Sequence, residues 1–387
     1  MIEIRDKRNC SGCHGCYSIC PKMCISMESD NEGFKYPVVD KKSCINCGLC
    51  EKVCPIIQEI NIVDDIIAYA CKNKDLETRL SSSSGGVFYI LAEYVIKNKG
   101  VVFGAKFNKN LEVEHDWSKT LEGCSKFKGS KYIQSNINSN YKKAKEFLEE
   151  GTLVLFSGTP CQISGLKKFL RKEYKNLICV DIACHGCPSP LVFKKYKEVL
   201  EKEFNSKINK FSFRNKKNGW KSYKISINFD NGEEKVEQAQ HNIYIKGFLQ
   251  DLYLRPSCYE CKFKKPYTHA DITLADYWGV QNIHPKIDDD KGVSLVLINS
   301  ENGKDIFSKI SNNLDILKTD LNYAMNNNVC IISPVKYNKK REKFFNEIQS
   351  KDIESLIEKN IRISLMKKVN IKIYSIISKI KSKVTNN

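Results

Sequence analysis

Two cysteine runs near the start of the chain have the spacing that builds an iron–sulfur cube. Residues 10–21 read CSGCHGCYSICP and residues 44–55 read CINCGLCEKVCP, and both fit C-x2-C-x2-C-x3-C-P. Such a run gives three thiolates to one 4Fe-4S cube and its fourth to a second cube, so each run completes the other's site. One cluster therefore takes Cys10, Cys13, Cys16 and Cys54, and the other takes Cys44, Cys47, Cys50 and Cys20. A short loop wraps the cube and turns its backbone N–H groups toward the sulfides. The proline ends the wrap because it has no N–H to give. C-x2-C pairs also build zinc sites, but two complete four-cysteine runs in tandem, each closed by proline, favour the cubes. Cys24 stands outside both runs and reads as a buried thiol.

A third group of cysteines is less regular. CHGCPSP (184–190) places Cys184 and Cys187 around His185, and CYEC supplies Cys258 and Cys261. With C-x2-C at both ends, these four are acceptable as a zinc site. Cys184 and Cys187 alone could be a thiol–disulfide pair, which needs C-x-x-C opening a helix. Cys161, after SGTP, is a further candidate.

The elements that position these residues read as an α/β body after about residue 66. SSSSGGVFYILAEYVIKNKG (81–100) gives serine capping, an amphipathic helix and a glycine stop. Residues 101–107, 152–158 and 177–183 are apolar strands, with helices over 141–151 and 162–174 between them. Helices alternating with apolar strands predict a mostly parallel sheet. Residues 208–239 break the alternation and read as an antiparallel excursion around a DNGE turn. Cys161 and Cys184 both follow strands, and ligands of open α/β sheets collect outside strand carboxyl ends. Both thiols are thus expected at one crevice. A later short strand ends in Asp276, Tyr277 and Trp278, which either wall that crevice or simply close a core strand.

At these residues the chain resembles the coenzyme F420 hydrogenase/dehydrogenase beta-subunit family. The matching pieces are SSSSGG (81–86), GSKYIQS (129–135), FSGTPCQISGLKKFL (156–170), CHGCPSP (184–190) and CYECKFKKPYTHADITLADYWG (258–279), in family order. The resemblance implies a flavin-containing α/β domain with its own 4Fe-4S cluster, whose ligands map onto Cys161, Cys184, Cys258 and Cys261. Cys187 then becomes a bystander. The flavin, FAD or FMN, would be held by Ser84, Gly85 and Gly86, with Ser83, at a helix start that suits a phosphate. Gly129, Ser130, Lys131 and Tyr132 would lie near it, together with Asp276. Lys131 could stabilise negative charge on a reduced flavin, and His185 could carry a proton beside the cluster. A capped helix, a solvated lysine and a hydrogen-bonded histidine are the plain alternatives.

The expected architecture is an α+β ferredoxin-like dicluster module (1–62), then an α/β flavin-binding body with an antiparallel excursion (66–312), then a helical tail with a basic amphipathic end (313–387). Residues 365–384 set apolar side chains at helical spacing among lysines. That pattern suits peripheral membrane contact or docking on the protein's own surface. The N-terminus lacks the apolar core of a signal peptide, and 18 cysteines then read as metal or redox ligands in a cytoplasmic protein. The formal charge of +18 favours acidic partners. Its dispersed lysines argue against nucleic acid. The expected activity is that of an iron–sulfur flavoprotein oxidoreductase with three 4Fe-4S clusters, exchanging electrons with ferredoxin or reduced coenzyme F420. The alternative is an electron-relay subunit without a substrate site.

Overall fold

A computed structural model describes residues 1–57, 65–264 and 269–361. The amphipathic end read over 365–384 lies outside the described residues. Among them, no helix is long and apolar enough to cross a membrane.

The N-terminal module carries the antiparallel hairpin β1 (Ile25–Ser29) and β2 (Lys35–Val39), with short helices Gly15–Ile19 and Leu49–Lys52 inside the two cysteine runs. Its small core is Ile2, Cys24, Ile25 and Cys50. So little apolar surface would stabilise it weakly, and the rest of the chain supports it. Helix Gly15–Ile19 packs on helix Pro160–Leu170 of the body. There Gly165 is required by close approach: a Cβ on it would sit 2.8 Å from Cys13 Cβ. At the other end of the chain, Arg341 reaches back to the module. Its Nη1 donates to Glu32 Oε1 at 2.9 Å, its Nη2 to Glu32 Oε2, and its Nε to the Leu254 carbonyl at 3.0 Å. Arg341 is buried and the Glu32 side chain is only 12% exposed, so either one alone would be a poorly compensated charge.

The body is built on β3 (Ile67–Asn73), β4 (Val101–Phe107), β5 (Val113–Ser118), β6 (Val154–Gly158) and β7 (Leu177–Ile182). An excursion then forms its own antiparallel sheet of β8 (Ile208–Asn215), β9 (Lys224–Phe229) and β10 (Glu234–Gln238), as the sequence predicts. The chain returns with β11 (Ile272–Asp276), β12 (Ser294–Ile298) and β13 (Leu314–Lys318). The eight-stranded sheet has the order β13-β3-β12-β11-β7-β6-β4-β5. β11, β7, β6 and β4 pair in parallel, whereas β5 on one side and β12, β3 and β13 on the other join through antiparallel pairs, which leaves β3 running in the same direction as β11. The mostly parallel sheet is therefore corrected to a mixed one. Helical crossovers join β4, β6 and β7, whereas β4 and β5 are linked by a short turn that forces antiparallel pairing.

The expected helical tail is also corrected at its start. LDILK (314–318) pairs with β3 and closes the sheet edge. Its short alternating pattern, after helix Glu301–Ile310, carries a strand's period of two. Farther on, helix Ile353–Ile361 buries Ile353, Leu356 and Ile357 against the core around Tyr244 and Phe248.

Candidate functional site

The eight cysteines of the two runs line two separate cavities. Cys10, Cys13, Cys16 and Cys54 surround one, capped by Ile2, Ile4 and Ile56. Cys20, Cys44, Cys47 and Cys50 surround the other, and Cys24 joins them with its Sγ 3.4 Å from that of Cys20. The first cavity is the inner one: Cys13 is buried beside Gly165. The second is the outer one, since Cys47 is exposed. The donor chemistry fits a cube in each. Four thiols converge, and the Ile2 N–H points at Cys50 Sγ across 3.3 Å. Burial pushes the inner Cys13 thiol up to about 12; iron would take the proton's place.

The body thiols meet at the carboxyl ends of the parallel strands. Thr159 caps helix Pro160–Leu170 in a capping box with Gln162, and this sets Cys161 in the helix's first turn. Thr159 Oγ1 lies 3.2 Å from its sulfur. Cys184 and Cys187 sit in the loop after β7; Cys258 lies in the 3-10 turn Pro256–Glu260, and Cys261 follows it. Burial holds the Cys161 thiol well above its ordinary range, and the nearby charges of Cys184, Cys261 and Cys258 add to this. The four are thus neighbours. Cys187 is a fifth: its N–H donates to Cys258 Sγ at 3.3 Å, and its thiol lies near those of Cys184 and Cys258. The same contacts pull the thiols of Cys184 and Cys258 down. The structure brings the set of Cys161, Cys184, Cys258 and Cys261 together and equally the rival set with Cys187. Lys264 braces the loop by donating to the carbonyls of Cys184 (2.7 Å) and Cys330 (2.6 Å). His185 turns to Asp251, 2.7 Å from its Nε2, so its ring is held by a carboxylate and not free beside the thiols.

Beside these thiols opens a cleft of roughly 310 Å3, whose wall includes Cys187. Clefts of about 300–1,000 Å3 suit ligands of cofactor size. Ser83, Ser84 and Gly86 line it at the start of helix Val87–Lys97, facing Gly129, Ser130, Lys131 and Tyr132. The two loops touch: Ser83 Oγ accepts from the Ser130 N–H at 2.7 Å and lies 2.9 Å from the Ser130 hydroxyl. Gly85 is not on the wall. It packs against the sheet, where its N–H donates to Ser294 Oγ at 2.9 Å and a Cβ would meet the Cys71 carbonyl. Asp276 lines the cleft with its carboxylate already engaged by Arg214 (3.0 Å) and the Trp220 indole N–H (2.9 Å). Tyr277 and Trp278 belong to the core behind it: Tyr277 is buried against Thr319, and Trp278 stacks on Trp220 at 4.9 Å.

Three residues escaped the sequence reading: His115 and Gln162 on the cleft wall, and Arg214 behind it on Asp276. His115, on β5, hydrogen-bonds Ser135 Oγ at 2.7 Å and the Ser157 carbonyl at 2.9 Å. A carbonyl only accepts, so Nε2 carries the proton and Nδ1 accepts from the serine. Burial pulls this ring down to about 4, so it stays neutral at pH 7. Gln162 had a local signal, the T-P-x-Q cap, while Arg214 and His115 had none. Lys131 donates to the carbonyls of Lys126 and Lys128 at 3.0 Å each, and burial pulls its ammonium down to about 7. It is charged below that pH and neutral above. FAD, whose diphosphate keeps its charge near neutrality, is therefore expected to bind the full chain several-fold more weakly at pH 8 than at pH 6. Lys131→Met should flatten the profile; titration by fluorescence quenching checks this.

Residues 151–322 match the family model that describes the C terminus of the coenzyme F420 hydrogenase/dehydrogenase beta subunit, and residues 9–56 match the 4Fe-4S dicluster domain. No curated protein matches the chain. Among solved structures, it is similar to a chain of the F420-reducing [NiFe] hydrogenase complex from Methanosarcina barkeri. The identity is 17%, 74% of this chain and 93% of that chain are covered, and the TM-score is 0.45.

Proposed function

Since this chain carries the C-terminal domain of the coenzyme F420 hydrogenase/dehydrogenase beta-subunit family behind a 4Fe-4S dicluster domain, we propose that it is an iron–sulfur flavoprotein oxidoreductase. Electrons would enter at the dicluster module and leave from the cleft. The observation that carries this reading is the spatial order of the sites. The outer cavity reaches solvent at Cys47; the inner one lies against the helix that bears Cys161; the body thiols follow; and Cys187 belongs to both their cluster and the cleft wall.

Each residue then has a task. The cysteines hold three 4Fe-4S clusters, which exchange single electrons. A flavin in the cleft would collect single electrons and return a pair. The start of helix Val87–Lys97, with Ser83 and Ser84, suits its phosphate. Lys131 holds a titratable proton at Nζ, and neutral His115 fixes Ser135 and the β6 end without adding charge. The second substrate is a small molecule or a deazaflavin such as coenzyme F420.

The basic balance of +18 favours an acidic one-electron donor such as ferredoxin. Reduced ferredoxin is expected to bleach cleft-bound flavin in stopped flow, more slowly as salt rises. Cys13→Ser should abolish that bleaching while flavin stays bound. If ferredoxin is inert at low salt while reduced coenzyme F420 bleaches the flavin, the direction of flow is reversed. A reconstituted chain with iron–sulfur absorbance but no affinity for flavin would overturn the flavoprotein reading in favour of a relay subunit.

A further inference from the structure

One buried charge has no acidic partner. Arg255 is 1% exposed, and no carboxylate among the described residues lies within ion-pair distance of it. Its backbone belongs to the body thiol loop: its N–H donates to the Cys187 carbonyl, and its carbonyl accepts from the Cys258 N–H, both at 2.9 Å. Its side chain leaves that loop and enters the dicluster module. Nε donates to the Cys10 carbonyl (2.7 Å), and Nη2 to Cys10 Sγ (3.5 Å) and the Lys35 carbonyl (3.0 Å). Nη1 donates to Gln134 Oε1 at 3.0 Å, and the guanidinium lies over the Tyr36 ring at 4.2 Å. Even the cluster loop is shaped for it: a Cβ on Gly12 would fall 2.8 Å from Arg255 Nη1.

A guanidinium does not shed its proton, and a buried charge is costly unless something of opposite sign compensates it. Here the sulfurs that can compensate it are those of Cys10, which the guanidinium touches, and of Cys258 farther off, both of which would be thiolates as cluster ligands. A cube bound by four thiolates is an anion, and each added electron makes it more so. The cation therefore stabilises the reduced inner cluster over the oxidised one. The outer cavity has no buried counterpart: among the described residues the cations lining it are the exposed Lys22 and the Met1 ammonium, and the ammonium is already paired with Glu51 Oε2 at 3.1 Å. We propose that Arg255 sets the potential of the inner cluster above that of the outer one, making the first internal electron step downhill and directing electrons toward the body. One electron moves and no proton accompanies it.

The inference rests on the dicluster part of the proposed function and needs only the inner cluster. A chain that binds eight irons instead of twelve would refute the third cluster and still test Arg255. The test is an EPR-monitored redox titration of the reconstituted full chain. Gln134→Glu keeps the packing but places a carboxylate against Nη1, cancelling the charge; Arg255→Met removes it; Arg255→Lys retains it without the fork. In the first two, one midpoint is expected to fall, making the reduced-to-oxidised ratio of that cluster at fixed potential roughly tenfold smaller, or about 59 mV for one electron. Arg255→Lys should fall less. Unchanged midpoints in Gln134→Glu with full iron would overturn the proposal. So would loss of the inner cluster from that variant, since the role would then be structural.

Discussion

Serine in place of Cys161 is expected to remove about four of about twelve irons from the anaerobically reconstituted chain, leaving the two module clusters. Cys184→Ser, Cys258→Ser and Cys261→Ser should do the same, whereas Cys187→Ser should retain all twelve. Cys187 acts as a supporting group through its backbone. Its N–H already points at Cys258 Sγ, the way loop amides support ligating sulfurs, and its side chain shares the cleft wall. The rival reading gives the opposite pattern: loss with Cys187→Ser, retention with Cys161→Ser, and one zinc per chain in place of four irons. Iron, sulfide and zinc analysis on the same samples decides between them.

The second large effect concerns Lys216, a buried lysine that ties three loops together. Its Nζ donates to the carbonyls of Arg79 (2.7 Å), Ser84 (2.6 Å) and Lys291 (2.8 Å). Methionine would fill its volume and leave three buried acceptors unpaired, at about 1–3 kcal/mol each where water cannot reach. The loops relax in part, so a loss of about 3 kcal/mol and a fall in Tm on the order of 4 °C are expected by calorimetry. Because Ser84 lines the cleft, Lys216→Met should also weaken flavin binding. An unchanged Tm would mean that the loops are held by Ser84 Oγ and Gly85 N–H alone, which bond the Val293 carbonyl and Ser294.

The dicluster module was readable in the sequence because its chemistry is local. Four ligands within twelve residues are a spacing, and a spacing survives in one dimension. The antiparallel excursion and the parallel strands were readable for the same reason, as runs with their own turns. What stayed hidden was assembled from distant pieces. Nothing near RNKK marks Arg214 as the partner of Asp276, 62 residues on. Arg255 reads as an ordinary surface arginine until the fold lays it on Cys10, at a separation of 245 residues. Edge strands were missed too: β13 reads as the start of a helical tail until β3 supplies its partner. Cys187 shows the limit of motif mapping, since a position to which the resemblance gives no ligand role still lies beside two proposed ligands.

The clasp between Glu32 and Arg341 bears on how the protein is made. Its two halves are 309 residues apart, and a ribosome adding about 5–20 residues per second separates their emergence by roughly 15–60 s. Throughout that interval the module lacks its ionic latch, until residue 170 is made it also lacks the helix that seats Cys13, and its own core is four side chains. Eight thiols wait exposed to oxygen and to adventitious metal. Delivery of iron and sulfide to the nascent N-terminus is thus a race against translation, and slowing elongation downstream of residue 60 should lower the yield of intact clusters without altering the finished fold.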